Sequence, residues 1–112
     1  MRDGWREAIV SVVTELEMLV LPMRSDDKDE LERISALLGA ETIHVIDMHR
    51  DIARRGARVR AATGLDLADA AIIATALSTG CDAIVGNDER CARRIRELPY
   101  VLLDDLVKER EA

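Results

Sequence analysis

The sequence predicts a three-layer α/β fold, a parallel β-sheet flanked on both faces by helices. Three observations carry that expectation. Short β-branched runs alternate with helix-periodic segments along the chain, the pattern of strands joined by helical crossovers. The strand candidates are continuously apolar, as strands buried on both faces are. The 112 residues include no Phe, one Trp and one Tyr, so Ala, Val, Ile and Leu must fill the core, which suits helices packed on β-branched strands. A chain of this length is expected to form one domain.

The elements follow in order. Ile9 to Val13 is a β-branched run and reads as the first strand. Thr14-Glu15-Leu16-Glu17 then starts a short helix that should stop by Pro22. Ser25 to Asp29 opens a second helix, whose Leu31, Ile34 and Leu38 recur at helical spacing before Gly39. Thr42 to Ile46 is the next strand. Asp47 is placed to cap a helix running to about Ala62 and closed by Gly64. Asp69 lies in the first turn of an apolar helix over Ala70 to Leu77, which Gly80 stops before the strand Ala83-Ile84-Val85. Asn87 would cap a helix to about Leu98, and Pro99 breaks it. Tyr100 to Leu103 reads as the last strand, and Asp104 starts a terminal helix.

Composition excludes several function classes. No segment is long and apolar enough to span a bilayer and the start carries no signal-peptide core, so a cytoplasmic protein without membrane attachment is expected. Cys81 and Cys91 form no CxxC pair, and Cys81 reads as a small buried residue at the start of a strand. His44, on a strand, and His49, on the following helix, lack the spacing of a metal pair. No Gly-rich phosphate loop is present, which argues against nucleotide binding. An Asp nucleophile directly after the first strand is also missing, since Thr14 and Glu15 follow Val13, so a phosphotransfer domain is disfavoured.

The net charge of −6 would discourage nucleic-acid binding, but the arginines are unevenly placed. Arg50, Arg54 and Arg58 share one helical face, with Arg55 and Arg60 nearby, while Ile52, Gly56 and Val59 line another. A second group comprises Arg90, Arg93, Arg94 and Arg96. Either group can be a solvated helix surface or a phosphate-binding rim.

The acids are the chemical signal. In a parallel α/β sheet the binding crevice lies beyond the carboxyl ends of the strands, where helix amino termini also point. Glu17, Asp69 and Asp88 each follow a strand or open a helix in that position. Ordinary explanations exist for all three: Thr14-x-x-Glu17 fits a capping box, Asp66-x-x-Asp69 an N-cap with an acidic third residue, and Asn87-Asp88 a cap followed by an acid that interacts with the helix dipole. Three carboxylates at one sheet edge would instead repel unless a cation lay between them. With no Cys or His expected nearby, oxygen ligands would select Mg²⁺ or Mn²⁺, suited to in-line phosphodiester displacement.

These residues resemble the PIN-domain family, the metal-dependent ribonuclease fold found in VapC-type toxins of toxin–antitoxin pairs. The resemblance rests on Ser11-x-x-Thr14-x-x-Glu17, on the LADAAIIATAL block at Leu67 to Leu77, and on the strand AIVGND ending in Asp88, and covers about Ile9 to Leu106. It implies that Glu17, Asp69 and Asp88 are three of the family's four metal-site acids, binding Mg²⁺ or Mn²⁺, with Asn87 beside them. Arg54, Arg58 and Arg93 become candidate phosphate contacts for an RNA substrate. Gly86 stands where the family usually has Thr or Ser. The family also begins with a central strand ending in the first metal-ligating Asp, which is expected to be absent here. The reading is therefore a single PIN-like domain over 1–112, N-terminally truncated, with a slot between the strands at Ile9 and Ala83.

The resemblance implies a metal-dependent endoribonuclease that hydrolyses RNA phosphodiester bonds, impaired by the missing acid, as a homodimer inhibited by an antitoxin protein. The alternative is a catalytically incompetent PIN remnant that serves as a protein-binding module for an antitoxin or another subunit.

Overall fold

A computed structural model describes residues 7–86 and 88–102. The expected Asn87 cap, the last residue of the expected strand to Leu103 and the Asp104 helix fall outside that range. The chain forms two compact units, Met1–His49 and Arg50–Ala112. Their described strands make two parallel pairs, so the α/β class and the parallel pairing agree with expectation.

The first unit runs β1 (Ala8–Ser11), α1 (Val12–Arg24), α2 (Lys28–Leu38), β2 (Ile43–Ile46). The β1–β2 register runs from Ala8 opposite Ile43 to Ser11 opposite Ile46. The two intervening helices supply the crossover that a parallel pair requires. Helix α1 begins two residues before the expected Thr14, because buried Ser11 is extended and its hydroxyl accepts from the Val13 N–H at 3.1 Å. The first strand is shorter as a result, and the Thr14-x-x-Glu17 capping box does not form. The helix also continues past Pro22 to Arg24. Proline in the last turn lacks only one N–H, and the Ser25 N–H closes the helix on the Leu21 carbonyl at 3.0 Å.

Asp27 caps α2 by accepting from the Glu30 N–H at 3.0 Å. Ile34 is buried, and Leu31 and Leu38 are half-buried, which confirms the predicted core face of that helix. His44 on β2 is exposed, with Nε2 at 2.7 Å from a Glu7 carboxylate oxygen. His49 precedes α3 instead of lying on it.

The second unit runs α3 (Arg50–Thr63), α4 (Leu67–Thr79), β3 (Ile84–Gly86), α5 (Glu89–Arg94), β4 (Tyr100–Leu102). Helix α3 starts at Arg50, three residues beyond Asp47, because residues 47–49 leave β2 as non-helical chain; exposed Asp47 is not its cap. Its buried face is Ile52, Gly56 and Val59, as the periodicity predicts. A Cβ built on Gly56 would come 3.7 Å from the Ala70 carbonyl oxygen, the Ala71 Cα and the Ala74 Cβ. Glycine therefore lets α3 lie close on the alanine-rich face of α4.

Gly64 and Gly80 end their helices with φ of +71° and +73°, in the left-handed region that glycine adopts without penalty. Val59, Leu65, Ala70, Ile73, Ile84, Cys91 and Ile95 form the core, with Leu98 and Tyr100 packed against it. Helix α5 stops at Arg94, short of the expected Leu98, because Ile95 turns extended and inserts its side chain into that core. Cys81, expected to be buried at the start of a strand, is only half-buried and precedes β3 by three residues, whereas Cys91 is buried.

Two arginines hold the turn between α3 and α4. Arg60 Nη1 donates to the Leu65 carbonyl at 2.6 Å and Arg94 Nη1 to the Thr63 carbonyl at 2.9 Å. The Thr63 hydroxyl accepts from the Leu65 N–H at 3.2 Å. These bonds fix the segment that delivers Asp69 into α4.

Candidate metal centre

Asp69 is the third residue of α4, within its first turn. Asp66 occupies the N-cap position but makes no side-chain capping bond, and its Oδ1 lies 3.8 Å from Arg90 Nη2. The conventional N-cap explanation is therefore weakened at Asp66.

Asp88, and not the expected Asn87, caps α5. Its Oδ1 accepts from the Arg90 N–H at 2.9 Å and the Cys91 N–H at 3.3 Å. The Asp88 N–H in turn donates to the Tyr100 hydroxyl at 3.3 Å, which ties the residue to β4. The Cys91 N–H bond, with that from Arg90, holds the Asp88 carboxyl below its usual range. A carboxyl depressed in this way contributes stability that is present above the ordinary carboxylate range and disappears as pH falls through it toward the lowered value. Thermal melts should show that loss in the native chain, and Asp88→Asn should flatten it while keeping most of the cap, since Asn caps about as well as Asp.

Asp69, Asp88 and Cys91 place one ligand atom each within 4.8 Å of one another. Burial first, and then the negative charges of Asp69 and Asp88, push the Cys91 thiol up to about 12. The thiol is thus neutral near pH 7, and the two carboxylates are the donors suited to a hard cation. Those donors fit Mg²⁺ or Mn²⁺, which accept carboxylate oxygens and, for Mg²⁺, retain several waters. The oxygen-only expectation needs one correction, because a sulfur does stand beside the acids. The Asp88-x-x-Cys91 spacing around a helix start is a sequence feature consistent with it, too common by itself to single the cysteine out.

The remaining site candidates are placed as follows. Glu17 is an exposed residue in the second turn of α1, in the first unit, where it neither caps the helix nor lies in its first turn. Asn87 lies outside the described residues. Arg93 is exposed, pairs with Glu89 at 4.0 Å, and lines a surface depression with Asp88, Glu89 and Arg90. Arg54 and Arg58 lie on α3, on the side away from its buried residues.

A family model for the PIN domain matches residues 2–98. The chain belongs to the PIN domain family. PIN domains are three-layer α/β proteins and are generally nucleases that act on RNA and use divalent metals, so this PIN domain carries a nuclease fold. No helix among its described residues is long and apolar enough to cross a membrane. Comparison with curated proteins finds no match.

Proposed function

We propose that this PIN domain is a metal-dependent endoribonuclease of the VapC toxin type. The observation that carries the reading is the approach of Asp69 and Asp88 to one another beside a neutral thiol. Asp69, on the first turn of α4, and Asp88, fixed through its Oδ1 cap and the Tyr100 hydroxyl, would hold Mg²⁺ or Mn²⁺. Glu17 is assigned as a further ligand from its place in the family pattern. A bound divalent ion neutralises phosphate charge and activates water for attack on phosphorus. Asn87 beside Asp88, and Arg93 at the adjoining depression, would orient the phosphodiester, with Arg54 and Arg58 contacting phosphates elsewhere. The chain is proposed to work as a homodimer restrained by an antitoxin protein, in the cytoplasm.

The test is cleavage of RNA with Mg²⁺ or Mn²⁺ present and after EDTA. Cleavage that needs the ion supports the reading, and cleavage indifferent to EDTA would overturn it.

One observation favours a second reading, a PIN module that binds an antitoxin or subunit without cleaving. Leu16, Val20 and Met23 follow one face of α1 and are 63%, 39% and 61% exposed, an apolar strip suited to a partner. Light scattering should then report a dimer or a complex of a chain that cleaves no RNA with Mg²⁺ or Mn²⁺ present, and ion-dependent cleavage or a monomer at every concentration would count against it.

A further inference from the structure

We infer that the outer face of α3 is a docking rail for single-stranded RNA, separate from the acidic pair and indifferent to sequence. The inference rests on the reading that the chain takes RNA, and it specifies where the flanking nucleotides lie.

Five arginines and one aspartate occupy the 14 residues of α3, in a chain whose net charge is −6. Arg60 is committed to the Leu65 carbonyl at 2.6 Å. Arg50, Arg54 and Arg58 are exposed, and no ion pair or hydrogen bond engages their guanidinium groups among the described residues. They recur every four residues, so their attachment points rise by about 6 Å each along the helix axis. A second row, Ala53, Ala57 and Ala61, is also exposed and runs beside the first. Small side chains between long cationic ones let a polyanion approach the helix surface while guanidinium groups grip its phosphates in bidentate fashion.

The geometry favours RNA over a protein partner. Helix α3 exposes no large apolar side chain, whereas protein interfaces concentrate their affinity in aromatic or apolar anchors as well as arginine. Phosphate contacts by arginine carry no base information, so the rail should not discriminate sequence. The opposite face, Ile52, Gly56 and Val59, is the one buried toward α4, where Gly56 meets Ala70, Ala71 and Ala74. RNA on the arginine face therefore runs on the far side of α3 from the helix that carries Asp69. It holds nucleotides flanking the cleaved bond.

The experiment measures binding of a fluorescent single-stranded RNA in EDTA, which removes cleavage, for the native chain and for R50Q/R54Q/R58Q. Affinity for single strands falls with salt in proportion to the phosphates neutralised, with a log–log slope of about −0.7 per contact. The triple variant should therefore lose about 2 units of slope and bind about a hundredfold more weakly at 0.1 M salt, converging with the native chain near 1 M. R50K/R54K/R58K should retain the slope. A mononucleotide should show little difference among the three proteins, because it cannot span arginines whose attachment points rise by about 6 Å each.

Unchanged affinity and slope in the glutamine variant would overturn the inference. So would equal loss in the lysine variant, since the effect would not follow charge. A variant that changes the molecular mass of the protein while RNA binding stands would assign the strip to a protein contact instead. Failure of the ribonuclease reading is separable: the native chain would then bind RNA with the expected slope but show no ion-dependent cleavage.

Discussion

Asp69→Asn should lower Mn²⁺-dependent RNA cleavage by at least about a hundredfold. Outer-shell groups that merely orient metal ligands already contribute about 10- to 100-fold to metal affinity or activity, so a direct ligand should matter more. The substitution is nearly isosteric and leaves the first turn of α4 with a residue of the same size. It removes one of the two charges that the cluster brings within 4.8 Å. The consequence separates two explanations for this acid. A carboxylate that served only the helix dipole would be worth about 0.3 to 1 kcal/mol of stability, with no effect on cleavage. Initial rates across a Mn²⁺ titration, compared with thermal melts of the same variant, distinguish a lost ligand from a loosened helix.

Leu65→Ala should destabilise the second unit by about 2 to 5 kcal/mol, the usual range for truncating a fully buried leucine. Leu65 is 0% exposed and sits in the core with Ile73, Ile84 and Cys91. Its main chain is held at both ends, by Thr63 Oγ1 at 3.2 Å and by Arg60 Nη1 at 2.6 Å. The core has little surplus to absorb such a loss, because it contains no phenylalanine. Small domains are stable by only about 5 to 15 kcal/mol. Urea unfolding should show the midpoint shift, and a change below about 1 kcal/mol would mean that the site collapses around the cavity far more readily than this packing implies.

How much of this was legible in the sequence depends on what each residue signals locally. The buried face of α3 followed directly from the spacing of Ile52, Gly56 and Val59, and the left-handed stops at Gly64 and Gly80 followed from glycine's conformational freedom. Element boundaries were less visible where one residue could serve two states. Val12 and Val13 are good strand formers, yet Ser11 captures the Val13 N–H and draws them into α1. Ile95 has apolar character compatible with a continuing helix, but the core takes its side chain and ends α5.

The site divides along the same line. Asp69 and Asp88 were readable because both open helices after the turns that deliver them. Cys91 was not, because a single cysteine without a partner motif looks like packing, and its approach to the acids depends on how α4 and α5 meet. The Tyr100 hydroxyl is likewise a tertiary contact, reaching the Asp88 N–H from a strand twelve residues later. Arginines divided only in three dimensions: Arg60 and Arg94 bond main-chain carbonyls, while Arg54 and Arg58 stay in solvent.

The most direct measurement is a crystal structure of the native chain grown with Mn²⁺, using the metal's anomalous scattering to locate it. The expected result is a peak within coordination distance of both Asp69 and Asp88, with the Cys91 sulfur outside its ligand sphere. Crystals containing ample Mn²⁺ but no anomalous peak between those two carboxylates would contradict the assignment of this cluster as the metal centre.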